Sequence, residues 1–205
     1  MSMAEVKQKL RGLARPIVRG LDRLGFSPLA VTLVGLVISA GAGVAAAGGR
    51  LRLAAVLLIT GAGFDMLDGD LARLQGRVSR QGAFLDSNFD RLSEAALFLG
   101  LVWHFLADAR PDRVAVMLTV TATVGSLTTS YARARAEGLG AACREGLFQR
   151  PERMVLLIAG LLLGARPLFW ALALLALLSV ATTAQRIVQV SRRLAAKDAS
   201  RETES

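Results

Sequence analysis

The chain has 205 residues, of which 53% are hydrophobic, and it carries a formal net charge of +9. The apolar residues fall into long blocks with most charges between them, which excludes an ordinary soluble domain, and the single cysteine excludes an internal disulfide framework. Because the basic residues flank these blocks, the charge favours a membrane with anionic lipid as partner, and not nucleic acid.

The first predicted element is an amphipathic helix over residues 3–25, within a juxtamembrane segment spanning residues 1–27. Lysines and arginines surround a set of apolar side chains that recur at helical spacing. These side chains are Val6, Leu10, Leu13, Ile17, Leu21 and Leu24. A helix of this kind lies in the membrane interface and does not cross the bilayer.

Six apolar spans follow the amphipathic helix. They are predicted at about residues 29–48, 51–74, 82–107, 113–133, 154–165 and 167–185. The fifth span is too short to cross a bilayer, so it must begin before Met154, which draws Arg153 towards membrane depth. The sequence therefore predicts an all-α membrane protein, with six transmembrane helices in one domain over residues 28–190. A polar cytoplasmic tail is predicted over residues 191–205, frayed from Lys197 onwards.

The distribution of basic residues predicts the orientation in the cell membrane. The loops after the first, third and fifth spans hold few of the 25 lysines and arginines, and the rest fall on the side of the termini. The basic residues in those three loops are Arg50, Arg52, Arg110, Arg113 and Arg166. By the positive-inside rule, the termini and the acidic end of the second span are predicted to be cytoplasmic.

Four aspartates stand out within the second and third spans. Asp65 and Asp68 are three residues apart, and Asp86 and Asp90 are four apart, so each pair shares one helical face. The short polar loop 75–81 makes the two helices antiparallel neighbours, so the two faces can meet at the cytoplasmic end.

Four carboxylates in apolar helices repel one another and are costly to desolvate, and divalent cations offset both penalties. Oxygen ligands of this type suit Mg²⁺ or Mn²⁺. Two such ions can neutralise a pyrophosphate and stabilise charge at a reacting phosphorus. The sequence therefore predicts two metal ions at Asp65, Asp68, Asp86 and Asp90; a solvated acidic cluster is the alternative. Asp70 lies off this face.

The same helices carry a longer motif that reads Asp68-Gly69-x2-Ala72-Arg73-x8-Gly82-x3-Asp86-x3-Asp90. Its small residues leave space for a nucleotide. The motif resembles the signature of the CDP-alcohol phosphotransferase family at every fixed position, and Asp65 matches that family's additional upstream aspartate. The resemblance implies a homodimer of six-span subunits that transfers a phosphatidyl-type group from a CDP-activated lipid to an alcohol.

The resemblance also implies roles for individual residues. Asp65, Asp68 and Asp86 would ligate one or both metals, and Asp90 would contact the second metal and act as the general base. From the residues alone, Asp86 and Asp90 could exchange these roles. The residues implied to contact the CDP-lipid, or to leave space for it, are Pro28, Leu29, Ala30, Val31, Thr32, Gly69, Ala72, Arg73, Ser79 and Gly82.

Three arginines at cytoplasmic helix ends, Arg133, Arg153 and Arg186, predict an acceptor that already carries a phosphate, because guanidinium groups form paired bonds with phosphate. Ordinary positive-inside flanking is the alternative. Segments 130–137 and 150–153 resemble those of the phosphatidylinositol phosphate synthase branch, although Arg133 stands where that branch has lysine. The resemblance implies that these arginines hold inositol 1-phosphate.

Other functions remain open at this level. The same chemistry with glycerol 3-phosphate would give phosphatidylglycerol phosphate, and the donor could instead be CDP-archaeol or CDP-inositol. An ion transporter is disfavoured, because it would need acidic residues near the bilayer midplane and an inverted repeat, whereas the aspartates here lie at one end of the spans and no repeat is visible.

Overall fold

The computed structural model describes residues 14–107, 109–143 and 146–202, and every regular element within these ranges is an α-helix. This confirms the all-α class that the sequence predicts. The chain divides into two compact units, Met1–Gly100 and Leu101–Ser205. The helices are α1 (residues 14–23), α2 (Pro28–Ala47), α3 (Leu51–Leu74), α4 (Arg80–Leu106), α5 (Arg113–Gly138), α6 (Arg150–Leu163) and α7 (Ala165–Glu202).

In the first unit, helix α1 packs on a small core that it shares with α2 and α3. Val18, Val31 and Leu71 are buried there, one from each helix. Ile17 of α1 and Leu24, directly after the helix, are exposed, so one face of the described helix packs on the protein and apolar side chains remain for contact with lipid. Val6, Leu10 and Leu13 of the predicted amphipathic helix lie outside the described residues.

Helices α2 and α4 approach each other backbone to backbone. A Cβ atom added at Gly100 would lie 2.0 Å from the carbonyl oxygen of Gly43, and one added at Gly43 would lie 2.2 Å from the carbonyl oxygen of Ala96. Helices α2 and α3 are also close, since a Cβ at Gly61 would collide with the Ser39 hydroxyl. Small residues at helix contacts are the usual means of close packing in membranes.

In the second unit, α7 packs against both α5 and α6. Gly125 of α5 lies against Ser179 of α7, and the Thr129 hydroxyl donates to the Ser179 carbonyl oxygen over 3.0 Å. Gly160 of α6 lies against Ala171 of α7. These contacts again join helices through small or hydroxyl-bearing residues.

Several helix ends differ from the predicted spans. Helix α6 begins at Arg150, so the helix starts before Met154, as expected for the fifth predicted span. It ends at Leu163, because Gly164 has a φ of 103° that breaks the helix. Helix α5 continues to Gly138. Helix α7 runs on from the predicted sixth span to Glu202, so the tail that was expected to fray is helical up to that residue.

Within the described residues, three helices are long and apolar enough to cross a bilayer: Pro28–Ala47, Arg113–Gly138 and Ala165–Lys197. Helices α3 and α4 carry the acidic residues that lower their hydropathy, and α6, with 14 residues, rises only ~21 Å. Apolar side chains are widely exposed, including Val37 at 71% and Val44 at 76%. The chain is a helical membrane protein.

Candidate active site

A tight turn over residues 75–79 joins α3 to α4 and fixes the start of α4. Gly76 adopts a φ of 64°, a conformation that glycine takes at little cost. The Ser79 hydroxyl oxygen accepts a hydrogen bond of 3.0 Å from the backbone N–H of Gly82, which caps the first turn of α4. A Cβ at Gly82 would lie 3.2 Å from that hydroxyl oxygen, so glycine there leaves room for the cap.

The helices bring three of the four predicted aspartates together. Carboxylate oxygens of Asp65, Asp68 and Asp86 all lie within 4.8 Å of one another. The first two come from α3 and the third comes from α4, so the expected meeting of the two acidic faces is present. Asp90 is outside this group of three and lies one helical turn beyond Asp86 on α4.

Asp68 is the most buried member of the group, with 7% of its surface exposed. The Thr32 side chain and the Gly69 backbone N–H face its carboxylate. Its Oδ2 atom is buried and has no hydrogen-bond partner among the described residues. A buried carboxylate oxygen without a hydrogen-bond donor destabilises the folded protein unless a cation balances its charge.

These residues fit a divalent metal ion. The group offers three carboxylates at short mutual distance, and the buried Asp68 Oδ2 atom supplies a coordination position that no described protein donor fills. All-oxygen sites of this kind suit Mg²⁺ and Mn²⁺. Asp65, Asp68 and Asp86 are therefore the residues that would hold the first ion.

A cavity of about 660 Å³ opens beside the aspartates, between the start of α2 and the α3–α4 turn. Eight of the ten residues predicted to contact the CDP-lipid line it. They are Pro28, Leu29, Thr32, Gly69, Ala72, Arg73, Ser79 and Gly82.

Ala30 and Val31 are not among the residues that line this cavity. Val31 instead packs in the core with Val18 and Leu71. The backbone N–H of Ala30 donates to the Ser27 hydroxyl, which caps α2. On a helix, neighbouring residues point to different sides, so a run of five could not all face one pocket.

Sequence reasoning missed several residues beside the cavity. Arg77 lines it and adds a positive charge. Gly35 of α2 supports the aspartates, because a Cβ there would lie 2.9 Å from the Phe64 Cβ atom and 3.4 Å from an oxygen of Asp65. Arg73 forms an ion pair with Asp70, so the charge of Asp70 is balanced within the protein and needs no metal ion.

The three arginines predicted to bind the acceptor phosphate lie in the second unit and differ in environment. Arg153 and Arg186 are buried, at 2% and 4% exposure. The Nη1 atom of Arg186 donates to the Thr129 carbonyl oxygen over 2.7 Å. Arg133 is exposed and its Nε atom donates to Glu137 over 2.8 Å.

The loop before α6 supports Arg186 in a way that the sequence did not indicate. A Cβ at Gly146 would lie 2.9 Å from Nη2 and 3.1 Å from Nε of Arg186. The Gln185 side chain accepts a hydrogen bond of 3.1 Å from the backbone N–H of Leu147. Gly146 therefore provides the space in which the guanidinium lies.

Known proteins resemble this chain over most of its length. A phosphatidylinositol phosphate synthase from Mycobacterium marinum is 40% identical over 186 residues, which cover 87% of this chain and 79% of that protein. An archaetidylinositol phosphate synthase from Methanothermobacter thermautotrophicus is 32% identical over 201 residues, covering 94% of this chain and 100% of that protein.

Solved structures of the Mycobacterium tuberculosis phosphatidylinositol phosphate synthase share the fold. One has CDP-DAG bound and another is in complex with manganese and citrate. Both match with a TM-score of 0.80 and 37% identity, over 85% of this chain and 92% and 87% of those chains. The family model for CDP-alcohol phosphatidyltransferases matches residues 26–196, which include the whole carboxylate motif. The chain belongs to the CDP-alcohol phosphatidyltransferase family.

Proposed function

We propose that the protein is a metal-dependent transferase that moves a phosphatidyl group from CDP-diacylglycerol to inositol 1-phosphate, giving phosphatidylinositol phosphate and CMP. The observation that carries the proposal is the meeting of Asp65, Asp68 and Asp86 beside a cavity of about 660 Å³. The likeness to synthases solved with CDP-DAG and with manganese supports the donor and the metal.

Each part of the cavity has a role in this reaction. Two divalent ions, Mg²⁺ or Mn²⁺, would supply charge neutralisation at the pyrophosphate when bound. Arg73 and Arg77, which line the cavity, offer positive charge to the phosphates. Gly69 and Ala72 of α3 have no large side chain in the cavity, so the nucleotide has room to approach the aspartates.

Asp90 is the proposed general base. It lies one helical turn beyond Asp86 on α4, outside the tight group of three aspartates. It takes the proton from an inositol hydroxyl as the hydroxyl oxygen bonds to the phosphorus that carries the diacylglycerol. The bond from that phosphorus to the CMP oxygen breaks, and CMP leaves with the electron pair.

The acceptor assignment depends on the second unit. Arg153 and Arg186, both buried, offer guanidinium groups for the phosphate of inositol 1-phosphate. The likeness to phosphatidylinositol phosphate synthases favours this acceptor over glycerol 3-phosphate. The 32% identity to an archaetidylinositol phosphate synthase makes CDP-archaeol the second candidate donor, with the same acceptor.

The proposed setting is the cell membrane, crossed six times by α2–α7, with α1 in the interface. The exposed apolar side chains of the described helices support contact with lipid on several of these helices. We expect both termini and the aspartates on the cytoplasmic side, where most basic residues lie. We also expect a homodimer, as the family resemblance implies.

CMP release by the purified protein tests the proposal. The protein is incubated with Mg²⁺, with CDP-diacylglycerol or CDP-archaeol, and with inositol 1-phosphate, glycerol 3-phosphate or free inositol. Release that needs inositol 1-phosphate and stops with chelator supports the assignment, and faster release with glycerol 3-phosphate would overturn the acceptor.

A variant of the base tests the mechanism separately. Asp90→Asn keeps the side-chain shape but is a far weaker base, so transfer should be abolished while CDP-diacylglycerol still protects the protein against thermal unfolding. Normal turnover by Asp90→Asn would assign the base to another residue.

A further inference from the structure

The C-terminal half of α7 contacts the loop that joins α5 to α6. Arg193 donates from Nη1 to the carbonyl oxygen of Ala142 over 2.7 Å. Gln185, eight residues earlier, accepts from the backbone N–H of Leu147 over 3.1 Å. The Lys197 ammonium group lies 3.5 Å from the carbonyl oxygen of Gly140. As the residue number rises in the loop, it falls along α7, so the two segments run in opposite directions.

These contacts hold the described part of this loop, which has little regular structure of its own. After α5 ends, Gly140 takes a φ of 72°, and its N–H and that of Ala141 return to the last turn of α5. The carbonyl groups of Gly140 and Ala142 face side chains of α7 instead. Backbone polar groups outside helices need partners, and here α7 supplies them.

The loop held by α7 lies next to both buried arginines of the second unit. Helix α6 starts at Arg150, and the Arg153 N–H bonds to the carbonyl oxygen of Gln149 at the end of the loop. Gly146, in the same loop, lies against the Arg186 guanidinium. A shift of the loop along α7 would therefore move Arg153, at the start of α6, relative to Arg186 of α7.

We infer that Arg193 is a positioning residue for the acceptor phosphate: by holding the Ala142 carbonyl it fixes the loop that lies against Arg186 and leads into the helix start that carries Arg153. The inference rests on the proposed function. It assigns a role to the α7 extension, which lies beyond the predicted sixth span. Arg193 has no part in the chemistry and acts only through the loop.

Steady-state kinetics of Arg193→Ala, with Arg192→Ala as the matched control, test the inference. Arg192 is the neighbouring residue, carries the same charge and is exposed. We expect Arg193→Ala to raise KM for inositol 1-phosphate about ten-fold, the effect of one lost charge-assisted hydrogen bond, and to leave KM for CDP-diacylglycerol unchanged. Arg193→Lys, which keeps a charged donor, should recover much of the loss, and Arg192→Ala should match the wild type.

Each contrary result has a distinct meaning. Equal KM changes in the two alanine variants would show a general charge effect and overturn the inference, as would a fall in kcat with KM unchanged. If Arg193→Ala does not fold, Gln185→Leu, at the other end of the loop, must give the same selective rise in KM. If the wild-type protein uses another phosphorylated acceptor, the proposed function fails, and the same comparison is made with that acceptor.

Discussion

Asp68 combines burial with a carboxylate oxygen that the described protein does not satisfy, and this makes it the most sensitive position in the metal site. Asp68→Asn removes the negative charge but keeps the size. Because a metal ligand is lost, we expect CMP release to fall more than about 100-fold across a Mg²⁺ titration. Assays of initial rate at rising Mg²⁺ concentration measure this.

Asp70→Asn is the matched control for Asp68→Asn, since Asp70 is on the same helix and pairs with Arg73. An ion pair whose arginine is exposed contributes little, so the rate of Asp70→Asn should stay within about three-fold of the wild type. Equal losses in the two variants would argue against a special role for Asp68.

Gly146 is the residue that gives Arg186 its space. A Cβ in Gly146→Ala would lie within 3.1 Å of two guanidinium nitrogens, so the guanidinium must move. We expect KM for inositol 1-phosphate to rise about ten-fold, the cost of one displaced charge-assisted bond. Gly138→Ala, where no atom lies within 4 Å of the added Cβ, should leave KM unchanged. A wild-type KM in Gly146→Ala would mean that Arg186 does not bind the acceptor.

At the scale of the helix, the contact of α2 with α4 depends on Gly43 and Gly100. In Gly100→Ala the added Cβ would meet the Gly43 carbonyl oxygen at 2.0 Å, and backbone cannot yield as a flexible side chain does. We expect about 2–3 kcal/mol of destabilisation. In a chain of this size each kcal/mol corresponds to about 2–4 °C in the melting temperature, measured in detergent.

Gly63→Ala is the control for the helix contact, since no atom lies within 4 Å of its added Cβ. Alanine in a helix interior is favoured over glycine by roughly 0.5–1 kcal/mol, so this variant should melt at the same or a higher temperature. A similar loss in both variants would show that helix propensity, and not the contact, sets the effect.

Both ends of α3 were predictable, because two glycines precede it and a polar loop follows it. The end of α7 was not predictable. Residues 51–74 were predicted, and α3 is Leu51–Leu74. Pro28 and Pro151 lie within the first two helical positions of α2 and α6. Helix α7 continues into a polar segment, where hydropathy gives no signal, and there its side chains hold a loop more than forty residues earlier in sequence.

The same distinction applies to the candidate site. The spacing of Asp65, Asp68 and Asp86 predicted their meeting, because helical periodicity and a short turn are local properties. Val31 could not be separated from its neighbours by sequence, since its burial depends on Val18 and Leu71 of other helices. The supporting glycines Gly35 and Gly146 were missed for the same reason, as their contacts are distant in sequence.

For the whole molecule, the predicted orientation can be tested by cysteine labelling in intact cells. The natural Cys143 is buried and is first replaced by serine. A cysteine at position 139, in the α5–α6 loop, should be protected from a membrane-impermeant maleimide, and one at position 111, in the α4–α5 loop, should react. Both positions are exposed. The reverse pattern would invert the proposed topology.

The three converging carboxylates affect the folding equilibrium of the protein in the cell. Without a bound cation, folding brings these like charges within 4.8 Å of one another, and their repulsion lowers the stability of the folded first unit. An ion that binds the native state and not the unfolded chain shifts the folding equilibrium by mass action. We therefore expect the supply of divalent metal to raise the share of the protein that stays folded, before any lipid has been made.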